Sequence, residues 1–92
     1  PSNRPRVLCI DDSLLIRKTI AMTLGAGVEL LSAATARDGL KLADEAQPQL
    51  IITDIHMPGM DGIETAQHLR QLENPPGRQG LEVVLLQGAD DR

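Results

Sequence analysis

The chain has 92 residues, a formal net charge of −4 and no Phe, Tyr or Trp. That length suffices for one small domain, and the missing aromatics exclude a stacking platform or an aromatic switch. The acidic balance and the lack of any block of clustered Lys and Arg argue against direct nucleic-acid binding, because phosphate contacts need such clusters.

Residues 1–5 are a polar lead-in. Val7 to Ile10 is a short continuous apolar run, the pattern of a strand covered on both faces. It contains Cys9, the single cysteine, which reads as a small buried core residue. No intramolecular disulfide can form, in keeping with a reducing, cytoplasmic setting. Ser13 offers an N-cap for a helix over Leu14 to Leu24. In it Ile16, Ile20 and Leu24 form an apolar stripe, Arg17 and Lys18 read as a solvated face, and Gly25 and Gly27 end the helix.

Val28 to Ala33 is a second strand, and Thr35 caps a second helix over Ala36 to Ala46, with Leu40 and Ala43 inward. Pro48 separates that helix from the most apolar strand, Leu50 to Asp54. A turn carrying Met57-Pro58-Gly59 leads to a third helix over Gly62 to Leu72, and Asn74-Pro75-Pro76-Gly77 breaks it. Leu81 to Leu86 is a fourth strand. Strands alternating with amphipathic helices imply βαβ units, a parallel sheet and an α/β fold. No apolar stretch approaches the ~20 residues of a membrane span. Residues 1–92 show no signal-peptide pattern, and a cytoplasmic, membrane-free protein is expected. The missing initiator Met and the end at Arg92 suggest a piece of a longer protein.

Asp11 and Asp12 follow the first apolar run at once, and Asp54 ends the third. In open parallel sheets ligands bind beyond the carboxyl ends of the strands. If the first and third strands are neighbours, three carboxylates meet at one edge. Such a cluster repels itself and calls for a hard cation such as Mg²⁺. One carboxylate could then attack phosphorus and form an acyl phosphate. The plainer reading is that the acids only cap helices: Asp12 or Ser13 the first, Asp61 the third.

VLCIDDS and LIITDIHMPGMDG together resemble the receiver domain of two-component response regulators, over Arg6 to about Leu86. The resemblance implies a flavodoxin-like fold with strand order 2-1-3-4. It implies that Asp54 accepts a phosphoryl group from a sensor histidine kinase or phosphotransfer protein. It also implies that Asp11, Asp12, Asp54 and the backbone carbonyl of His56 hold Mg²⁺, and that Met57, Pro58 and Gly59 shape the loop around the acyl phosphate. The output would pass to an attached domain or an effector protein.

Two departures follow. A receiver carries Ser or Thr at the end of its fourth strand, where this chain has Gln87, and a Lys ending a fifth strand, whereas no Lys follows Lys41. Either residues 1–92 are a single truncated receiver domain without its fifth strand, or the domain is natively degenerate. The alternative function is therefore a degenerate receiver serving as a phosphorylation-independent protein-interaction module. A metal-dependent phosphatase with an Asp nucleophile is a weaker third reading, because His56 stands where its acid/base carboxylate would be. The fourth strand, LEVVLL, would be an apolar sheet edge, and homo-oligomerisation through it is expected.

Overall fold

Each short apolar run becomes a strand. The computed structural model describes residues 4–54, Gln67 and residues 82–86. In chain order these form β1 (Arg6–Ile10), α1 (Leu14–Leu24), a 3-10 turn (Gly25–Gly27), β2 (Glu29–Ala33), α2 (Ala36–Ala46), β3 (Leu50–Asp54) and β4 (Glu82–Leu86). The four strands make one sheet in the order β2-β1-β3-β4, and every neighbouring pair is parallel. Of the third predicted helix only Gln67 lies among the described residues, and it is helical. The loop carrying His56, Met57, Pro58 and Gly59, and the position of Gln87, lie outside the described residues.

Register assigns the side chains to two faces. Leu31, Leu8, Ile51 and Val83 stand in one row across all four strands. Leu8, Ile10 and Ile51 are fully buried and pack with Ala36 and Ala43 of α2, supported by Leu40 and Leu42. The predicted inward positions Leu40 and Ala43 thus belong to this core. Gly39 also lies on the buried face of α2. A Cβ there would stand 2.6 Å from Ile10 Cγ1, so the helix approaches the sheet this closely only without a side chain.

The opposite face holds Leu50, Ile52 and Val84 under α1. Helix α1 buries none of its residues. Ile20 and Leu24 are half-buried, and Ile16 is 38% exposed. The predicted stripe therefore faces the sheet without closing on it. Between them lies a cleft of about 370 Å³, lined by Ile16, Ile20, Leu24, Leu50, Ile52 and Val84 among others.

The helix ends follow the expected chemistry. Ser13 Oγ accepts from the Ile16 N–H at 3.3 Å, and Thr35 Oγ1 accepts from the Asp38 N–H at 3.1 Å. Each satisfies one of the donors that a helix start leaves open. Gly25 ends α1 at φ 65°, ψ −154°, a region open to glycine and strained for other residues. Helix α2 ends on Gln47 in the left-handed region, at φ 51° and ψ 61°. The lead-in is tied down at its end: the Glu29 N–H donates to the Pro5 carbonyl at 2.8 Å.

Candidate functional site

The register of β1 and β3 builds the site. Ile10 pairs with Thr53, so the next residues, Asp11 just past β1 and Asp54 at the end of β3, stand side by side at the sheet's carboxyl edge. Asp12 follows Asp11 into the turn before α1. One carboxylate oxygen from each of Asp11, Asp12 and Asp54 lies within 4.8 Å of the others. The juxtaposition expected from the sequence is thus present. Asp11 is 4% exposed, Asp54 is half-buried and Asp12 is open to solvent.

Asp11 is held on three sides. Its N–H donates to the Ala33 carbonyl at 3.0 Å. Its carbonyl accepts from Arg17 Nη1 at 2.6 Å, and its Oδ1 accepts from the Ser13 N–H at 2.8 Å. Burial pushes the Asp11 carboxyl above its ordinary range. The neighbouring charges of Asp54 and Asp12 push the same way, while the Ser13 N–H and Arg17 oppose them. Of the two caps weighed for α1, Ser13 is the one observed, so capping does not account for Asp12; Asp61, the cap weighed for the third helix, lies outside the described residues. Burial, with Asp11 beside it, also raises the Cys9 thiol to about 11. Cys9 is therefore a neutral, inert core residue, as its place in the apolar run implied.

Arg17 corrects the sequence reading. The sequence pattern places it with Lys18 on a solvated face. Lys18 is exposed, but Arg17 is half-buried and bonded to the site's own backbone. A signal was available. A cation in the first turns of a helix opposes the helix dipole, and its presence there points to a local acceptor.

The family description "Response regulator receiver domain" matches residues 7–91. The chain belongs to this family. The receiver is 34% identical over 88 residues to the transcriptional regulatory protein AfsQ1 of Streptomyces coelicolor, covering 95% of this chain and 36% of that one. It matches the receiver domain of the histidine kinase CKI1 from Arabidopsis thaliana, solved with Mg²⁺ and BeF₃⁻, at 27% identity and a TM-score of 0.80. That match covers 96% of this chain and 68% of the other. The chemotaxis protein CheY4 of Vibrio cholerae matches at 29% identity and a TM-score of 0.75, covering 96% and 89%.

The receiver spans between 20% and 36% of the length of these curated relatives. Its strand order and its neighbours give it the flavodoxin-like fold that the resemblance implied. Receiver domains are regulatory modules of two-component phosphorelay signalling. They bind Mg²⁺ at an acidic pocket and work with histidine kinases or phosphotransfer proteins and with output domains. No helix among the described residues is long and apolar enough to cross a membrane.

Proposed function

We propose that this receiver accepts a phosphoryl group on Asp54 from a sensor histidine kinase or phosphotransfer protein and passes the signal to an output domain or effector in the cytoplasm. One observation carries the reading: three carboxylate oxygens, from the ends of two neighbouring strands, within 4.8 Å of one another. The donor set fits a hard divalent cation. It is all oxygen, and its buried member is pushed toward the protonated form partly by its own neighbours, a cost that a cation relieves. Asp11, Asp12, Asp54 and the His56 carbonyl would hold Mg²⁺, and the CKI1 receiver crystallised with Mg²⁺ supports that assignment. When bound, the cation would offset the charge of the acids and of the incoming phosphoryl group.

The Asp54 carboxylate attacks phosphorus in line. A P–O bond forms, the P–N bond to the donor histidine breaks, and its electron pair leaves on the imidazole. By the resemblance, Met57, Pro58 and Gly59 would shape the loop around the acyl phosphate. Gln87 stands where the usual hydroxyl would be, and its amide, though able to donate, is longer and lacks the hydroxyl's geometry, so the switch would be altered. The test is incubation with a small phosphodonor and Mg²⁺, followed by mass spectrometry. Wild type gains one phosphoryl group and Asp54→Ala gains none. An unmodified wild type, or an adduct that survives in Asp54→Ala, overturns the reading.

Gln87, at the place of the usual hydroxyl, favours a second reading: an interaction module whose partner binding ignores phosphorylation. A partner affinity that changes strongly on phosphorylation would exclude it. Among the described residues β4 pairs on one side only, with β3. That edge supports homo-oligomerisation, and a stable monomer by light scattering across the micromolar range would exclude it.

A further inference from the structure

We infer that Arg17 is a positioning residue for the cation site: its guanidinium reaches back from α1 and clamps the Asp11 carbonyl, holding the turn so that the three carboxylates stay within reach of one ion. The inference rests on the Mg²⁺ reading above. Asp11 lies one residue past the end of β1, where no strand partner is available to its carbonyl among the described residues. Arg17 supplies the donor at 2.6 Å. Its own N–H meanwhile donates to the Ser13 carbonyl at 3.1 Å, so one residue binds both ends of the Asp11–Ser13 turn.

The rest of α1 cannot do this work. The helix buries no residue and stands off the sheet over the cleft. At its N-terminus the Arg17 side chain reaches back to the Asp11 carbonyl, beside the Ser13 N–H on Asp11 Oδ1, and Asp12 lies on the segment so tied. Cation ligands depend on such outer partners for orientation.

Position and charge act with opposite signs here, which makes the test decisive. As a charge, Arg17 repels a cation, and removing it tightens binding. As a clamp, it organises the ligands, and removing it weakens binding. The experiment is calorimetric titration of Mg²⁺ into wild type, Arg17→Met and Arg17→Lys at constant ionic strength, with circular dichroism melts of each.

Arg17→Met is expected to weaken Mg²⁺ binding about 10-fold. Arg17→Lys is expected to recover most of the loss, since a single N–H···O contact does not need the guanidinium fork. Equal or tighter binding by Arg17→Met overturns the inference, as does a lowered melting midpoint with unchanged affinity. If Arg17→Met does not fold, Arg17→Gln replaces it, because its shorter amide cannot span the gap; the same weakening is expected, and wild-type affinity overturns the inference. A wild type that binds no Mg²⁺ overturns the metal reading and this inference together. A wild type that binds, with Arg17→Met binding equally well, overturns this inference alone.

Discussion

The two faces of the sheet are built differently. On the α2 face, the methyl groups of Ala36 and Ala43 and the bare Gly39 face Leu8, Ile10 and Ile51, and the helix closes on the strands. On the α1 face, the larger Ile16, Ile20 and Leu24 meet Leu50, Ile52 and Val84 across an open cleft of about 370 Å³. Small residues at three- and four-residue spacing let backbones approach, while bulky ones hold a helix away. The tightly packed face carries most of the apolar burial. The loosely packed helix carries the acidic turn and the Arg17 clamp. Elements at functional sites tend to come from the less stable part of a fold, and here that division runs between the two sides of one sheet.

The largest test of this division removes a core side chain. Ile51→Ala, at a fully buried position of the α2 face, should cost about 3 kcal/mol, while Ile16→Ala, on the open side, should cost under about 1 kcal/mol. Urea denaturation of both variants measures the ratio, and equal losses would erase the distinction between the faces. Gly39→Ala follows in size. The helix gains propensity of about 1 kcal/mol, but the new methyl collides with the buried Ile10, and overpacking of that kind costs about 1–3 kcal/mol. A net loss of about 1 kcal/mol is expected, and a gain in stability would show that α2 has room to move.

Asp11→Asn probes the site side. An Asn can keep the acceptor for the Ser13 N–H while removing the buried charge. In Mg²⁺-free buffer at pH 7 the variant should be more stable by about 1 kcal/mol, and it should lose Mg²⁺ binding. The sign of the pH dependence follows from the raised Asp11 carboxyl. The folded state binds that proton more tightly than the unfolded state does. The resulting stabilisation is fully present below the ordinary value of 3.8 and is lost as pH rises through the raised folded value. The advantage of Asp11→Asn over wild type should therefore shrink as pH falls through that window, and an advantage constant from pH 7 to pH 3 would contradict the assignment. The smallest effect is at the end of α2. Gln47→Gly relieves a left-handed residue and should add about 0.5 kcal/mol, visible as a small rise in the melting midpoint with Mg²⁺ affinity unchanged.

Much of the architecture was legible in the residues. VLCI is apolar throughout and LIIT nearly so, which suits strands covered on both faces, and Ser13 and Thr35 marked both helix starts. The acids were legible because Asp11-Asp12 and Asp54 end their apolar runs. Arg17 was legible only as a cation set against the helix dipole; its target was not, because that target is a backbone carbonyl, and every residue has one. The stand-off of α1 was also illegible. Its stripe of Ile16, Ile20 and Leu24 is as apolar as that of α2, and only side-chain bulk against a particular sheet surface separates them.

Local sequence determined which segments form strands and helices, where the helices begin, and that three carboxylates end two strands. Those features depend on neighbours in the chain, through periodicity, capping and apolar runs. Tertiary structure alone decided that Ile10 pairs with Thr53, that Asp11 is buried among its partners while Asp12 is open, and that Arg17 closes the turn. Each of these depends on strand register and on the distance between a helix and a sheet, and a chain acquires both only when its segments pack.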